Sequence, residues 1–168
     1  MNTLNAPVVA AVLATLCASA AHAQVVEYGS EAGWDILINE RMGPGCFVMQ
    51  TTPDGTQIQM GINRSKAEPE GYIALYTQAA ADVSAGERIA VTFDVDGDQF
   101  SGDFKGQQYQ EGWRGAYVRV NNPNFVYDLA KKYKLTITAS DGRPPIVIDL
   151  TGTFKAFEAL RACQEAQS

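Results

Sequence analysis

The chain has 168 residues, a formal net charge of −6, 46% hydrophobic and 19% charged residues. That length suits one domain, and that balance supports a buried core rather than disorder. An acidic surface repels phosphate backbones and anionic lipid headgroups, which argues against nucleic-acid binding and against docking on an anionic membrane.

Residues 1–23 read as a signal peptide. "APVVAAVLATLCASAA" is an apolar run, and "AHA" before Gln24 places small residues where signal peptidase reads. The n-region "MNTLN" is atypical in having no Lys or Arg. The run is about 16 residues, short of the roughly 20 that span a bilayer, and Leu16 before Cys17 does not suit a lipoprotein site. The expectation is cleavage after Ala23, leaving residues 24–168 as one exported, periplasmic or secreted domain with no transmembrane anchor. Cleavage removes Cys17 and His22, the sole histidine, and leaves Cys46 and Cys163 as the cysteines.

From there the chain reads mostly as strand. "WDILINE" alternates Trp34, Ile36 and Ile38 against Asp35 and Asn39, and "RMGPGC" supplies turn chemistry. "CFVMQTT" suits a well-buried strand, and "PDG" at 53–55 a turn. "TQIQMGI" puts Ile58, Met60 and Ile62 on one face; "NRSKAEPEG" is a surface loop; "YIALYT" resumes as strand. "QAAADVSAGE" is a connection with room for a helical turn. "RIAVTFDVD" is the clearest strand, alternating Ile89, Val91, Phe93 and Val95 against Ala90, Thr92 and Asp94, and "AYVRV" is another.

"NNPNFVYDLAKKY" predicts a short helix with Asn122 as N-cap, Pro123 in the first turn, and Phe125, Val126 and Leu129 inward. "KLTITAS", "DGRPP" and "IVIDL" form a strand–turn–strand unit. In "TGTFKAFEALRACQEAQS", Ala156, Phe157, Leu160 and Cys163 fall on one helix face. The fold class is therefore mainly β: a single-domain antiparallel β-sandwich or curved sheet, with a short internal helix and a C-terminal helix.

Two cysteines in an exported chain have one obvious use, which is to pair. A Cys46–Cys163 bond would pin the last helix to the second strand, and closing so long a loop is worth about 4–5 kcal/mol in the chain-entropy model. A reactive thiol would need a Cys-x-x-Cys pair or an electropositive neighbour, and the sequence displays neither.

Trp34 near the start, the cysteine opening "CFVMQ" and the closing "IDLTGTFKAFEALRAC" together resemble the invasion-associated locus B type of small exported bacterial proteins. The resemblance implies a secreted, disulfide-bonded, mainly β domain, linked in some bacteria to host-cell interaction. It carries over no catalytic residue.

With no histidine after residue 23, Ser-His-Asp, Cys-His and histidine-zinc chemistry are excluded, and no phosphate-cradling loop is present. "DVDGDQFSGD" (94–103) begins like a calcium loop. Counted from Asp94, however, the sixth position is Gln99 and the twelfth Lys105, where an EF-hand needs glycine and glutamate. Asp96-Gly97 is instead a two-residue hairpin signal, with Phe100 returning to the apolar face. Asp96, Asp98 and Asp103 remain weak candidates for a non-EF calcium contact.

Tyr72 and Tyr76 share a strand face opposite Ile73 and Leu75, and Tyr117 opposes Ala116 and Val118. Such rings either cover the outer face and ends of the core, or form a surface that binds a protein, peptide or glycan. The leading expectation is a non-catalytic envelope or extracellular binding module without a cofactor. The alternatives are a calcium-dependent module using residues 94–103 and a carboxylate-dependent polysaccharide hydrolase.

Overall fold

The computed structural model describes residues 25–65, 67–109 and 112–167, so the signal-peptide reading of residues 1–23 lies outside the described residues. The elements run β1 (Val25–Glu31), β2 (Trp34–Asn39), β3 (Gly45–Thr51), β4 (Gln57–Asn63), β5 (Glu70–Thr77), β6 (Arg88–Val95), β7 (Asp98–Gln108), β8 (Arg114–Val120), α1 (Asn124–Leu129), β9 (Lys134–Ala139), β10 (Ile146–Asp149) and α2 (Thr153–Ala166).

All strands belong to one 10-stranded sheet in the order β1-β2-β3-β4-β5-β8-β7-β6-β9-β10, and every pairing is antiparallel. The mainly β, curved-sheet expectation holds. The curvature has a visible cause. β7 pairs with β6 from Asp98 to Lys105, but with β8 only from Lys105 to Gln108. The first half of β7 is thus free to diverge from β8, and the sheet folds over at that seam. The inner faces of the two halves share one core, in which Ile58, Ile73 and Val118 from one half meet Val91, Phe93 and Ile137 from the other.

Period-two alternation decides which side chains enter that core. On β6, Ile89, Val91, Phe93 and Val95 are buried while Arg88 and Ala90 are exposed. Asp96 and Gly97 both have positive φ, at 51° and 96°, and Val95 pairs with Asp98 across the turn. This is the two-residue hairpin that Asp-Gly favours. Residues 78–87 form no helical turn; Gly86 N–H donates to the Gly106 carbonyl at 2.8 Å, and Gly106 N–H donates back to Glu87 at 2.7 Å.

The helices cover one part of the inner face. α2 packs on β1, β2 and β3, and α1 packs on β4, β5 and α2. Ala156, Phe157, Leu160 and Cys163 are the buried face of α2, with Thr153 at its start. The chain enters α2 through Gly152 at φ 82°, where a Cβ would lie 2.7 Å from the Ala32 carbonyl oxygen. Trp34 is wholly buried beside this junction, its indole N–H donating to the Thr151 carbonyl at 3.4 Å. Cys46 and Cys163 are bonded, with their Cα atoms 6.2 Å apart. Gln164, one residue on, adds a second tie: its Oε1 accepts from Cys46 N–H at 3.0 Å, and its Nε2 donates to the Pro44 carbonyl at 3.3 Å.

Candidate functional site

The inner face is not covered along its whole length. Near the Gly71 end of β5, Asn122, Pro123 and Val126 lie against the strand. At the other end, where Thr77 pairs with Arg114, no helix of the described residues closes the fold. A cavity of about 460 Å³ opens there, between Leu75 and Ala116 of one half-sheet and Ile89, Val91, Phe104 and Ile137 of the other. That volume falls within the roughly 300–1,000 Å³ usual for small-molecule sites.

Strand phase places a cation at the mouth. Ala116 and Val118 of β8 belong to the core side, so Arg114, two residues earlier, projects to the same side. Arg114 is half-buried, and among the described residues its guanidinium has no carboxylate partner. Arg143, also at the rim, is already held by Glu87 at 3.3 Å and by Asp141 at 3.0 Å. Asp82 lies at the same rim, exposed on the loop after β5.

The tyrosines singled out in the sequence sit on the opposite, outer face. Tyr72 and Tyr76 join Leu37, Phe47 and Ala74 in a second cluster, against which Trp113 and Tyr117 pack. Tyr72 is 4% exposed and Tyr76 7%, because Tyr109 and Trp113, from the β7–β8 connection, lie over this face. The Tyr76 hydroxyl donates to Gln107 Oε1 at 3.1 Å and lies 3.3 Å from the Tyr109 hydroxyl, with the two rings edge-to-face. Among the described residues the buried Tyr72 hydroxyl has no hydrogen-bond partner. Burial pushes both phenols well above their ordinary value. Tyr117 is half-buried and carries the Arg119 guanidinium 5.2 Å from its ring centroid. The three rings share a face, as their phase requires, but only Tyr117 presents part of its ring to solvent.

No protein-family model matches the sequence. A protein-export protein SecB of Hyphomonas neptunium is 26% identical over 130 residues, spanning 74% of this chain and 75% of that one. The crystal structure of invasion associated protein b from Bartonella henselae superposes with a TM-score of 0.55, at 15% identity, over 81% of this chain and 96% of that chain. The chain has the fold of invasion associated protein B. The resemblance first carried by the two cysteine segments thus extends through most of the described chain, as a likeness of fold.

Within this invasion associated protein B fold, the acidic hairpin serves the backbone. The Asp96 carboxylate accepts from Tyr133 N–H at 2.9 Å and Lys134 N–H at 3.0 Å, docking the hairpin onto β9. Asp98 pairs with Lys132 at 2.9 Å. Asp103 lies further along β7, opposite Ala90. Among the described residues no three carboxylate or cysteine groups are gathered in a way that could hold a metal ion.

The pocket is the feature that sequence reasoning missed. Its one legible sign is an arginine in phase with the core residues of "RGAYVRV".

Proposed function

We propose that this protein is an exported, non-catalytic binding module of the envelope or extracellular space, and that it holds an apolar part of its ligand in the pocket between the half-sheets. The observation that carries this reading is the pocket itself: an apolar cavity of about 460 Å³, open at the end of the fold away from α1 and α2. Export is supported by the leader-like residues 1–23, by the Cys46–Cys163 bond, which suits an oxidising compartment, and by the fold shared with invasion associated protein B. A non-catalytic role is supported by the engagement of Asp96 and Asp98 in structural contacts, and by a sequence without histidine after residue 23.

Titration with an uncharged apolar dye such as diphenylhexatriene tests the pocket. Saturable fluorescence enhancement is expected for the native protein, and its loss is expected in Ala116→Phe, where a ring would fill the cavity. Enhancement that Ala116→Phe leaves unchanged would remove the pocket from the reading. Export is tested by mass spectrometry of the protein from intact cells, where the expected amino terminus is Gln24.

A further inference from the structure

The mouth of the pocket says what kind of ligand should enter. We propose that the cavity takes the alkyl chain of a single-chain carboxylate amphiphile, a fatty acid, and that Arg114 binds its headgroup; this rests on the pocket being the binding site.

The geometry is layered. On β5 and β8, Leu75 pairs with Ala116 and Thr77 pairs with Arg114, one step nearer solvent on the same face. A ligand lying along this face would therefore meet apolar side chains first and a guanidinium at the rim. A half-buried cation without a partner is costly, and the cost falls when an anion arrives. Among the described residues Arg114 has no such anion. Arg143 does not compete for the headgroup, because Glu87 and Asp141 already hold it.

The same rim argues for a single negative charge. Asp82 borders the cavity and would repel a dianionic phosphate more than a carboxylate. A guanidinium fork matches a carboxylate through two parallel hydrogen bonds. The cavity wall adds shape to charge: Ile89, Val91, Phe104 and Ile137 are each at least nine-tenths buried and apolar, so they select a chain rather than a polar ring.

The test uses the full mature protein and two probes of equal chain length, decanoate and decanol, each displacing bound diphenylhexatriene at neutral pH. Decanoate is expected to bind about 10–100-fold tighter than decanol, the range that charge-assisted hydrogen bonds supply. Arg114→Gln should remove most of that difference by weakening decanoate and leaving decanol unchanged. Arg114→Lys, which keeps the charge but not the fork, should fall between. Equal binding of acid and alcohol, or decanoate affinity unaltered in both variants, overturns the headgroup assignment while leaving the apolar pocket intact. Failure of both probes and of the dye to bind at all overturns the pocket reading with it.

Discussion

In the helix-covered part of the inner face, Trp34 is sealed together with Phe157 and Leu160 of α2; at the open end, Leu75, Ala116 and Ile137 border a cavity. Both parts are built from the same alternating strands. They differ in what lies against them. The covered part gains a disulfide, the Gln164 clamp and the Trp34 hydrogen bond, three ties between α2 or its approach and β2–β3. The open end gains loop contacts and the ion pairs of Arg143. Stability is therefore expected to concentrate where the helices sit. The space needed for a ligand is left where they do not, a division that local stability differences in proteins commonly follow.

The largest effect should come from cutting the tie between α2 and β3. Replacing Cys46 and Cys163 together by serine is expected to cost about 4–5 kcal/mol, since the bond closes a loop with a sequence separation of 117 residues. Urea denaturation measures this; a loss below about 1 kcal/mol would mean that packing alone fixes α2. Next, Phe157→Ala should cost about 3–5 kcal/mol, because its ring is 2% exposed and stacks edge-to-face on Tyr127. Ile146→Ala at the open end should cost less than about 1 kcal/mol, since Ile146 is 44% exposed. Equal losses from these two changes would erase the contrast between the regions.

The outer tyrosine face sharpens the comparison with smaller changes of opposite sign. Tyr76→Phe removes a hydroxyl bonded to Gln107 and near Tyr109, and should destabilise by about 1 kcal/mol. Tyr72→Phe removes a buried hydroxyl that has no partner among the described residues, and should leave stability unchanged or raise it by up to about 1 kcal/mol. Thermal unfolding of the two variants side by side decides this, and a destabilised Tyr72→Phe would require a partner for that hydroxyl.

Much of the sheet was legible because its strands bury one face. β4, β6 and β9 announce themselves by period two, and the Asp96-Gly97 turn by its residue types. β1 and β7 did not. β1 is an edge strand, exposed along nearly its whole length, so burial imposes no pattern on its residues. β7 has two glycines and mostly exposed side chains, and its backbone is held by register with β6. Gly102 is there for space: a Cβ would lie 3.0 Å from the Phe93 ring. The shared face of Tyr72, Tyr76 and Tyr117 was legible from their spacing, but their burial was not, since Tyr109 and Trp113 reach them from another strand pair. The pocket was hidden for a similar reason. It exists only where two half-sheets, distant in sequence, fail to meet, and single-strand patterns carry no information about that gap.

The smallest expected effect is a pH dependence, and it too can be assigned to one region. Asp149 leads from β10 into the α2 junction, where hydrogen bonds from the Thr151 hydroxyl and backbone N–H hold its carboxyl below the ordinary value of 3.8. A carboxyl whose native value is depressed adds stability that is present above its unfolded value and lost as pH falls through the native one. Asp149 therefore contributes fully above pH 3.8, and the contribution is lost as the pH falls from there through its lowered native value. Asp54, in the turn before β4, is lowered in the same way by the Thr52 hydroxyl and the Thr56 N–H, but it stands near the open end, where Thr56 lines the cavity. Both groups are fully exposed, so solvent screens the effect and keeps it small. Asp149→Asn keeps the acceptor for Thr151 N–H and removes the titration. Its stability should fall less steeply than that of the native protein as the pH falls below about 4. Amide exchange should place the protection that the native protein loses there at the start of α2, whereas Asp54→Asn should alter exchange in the β3–β4 turn alone. Identical acid limbs for Asp149→Asn and the native protein would show that this junction is held by Gly152 and Trp34 without help from the carboxylate.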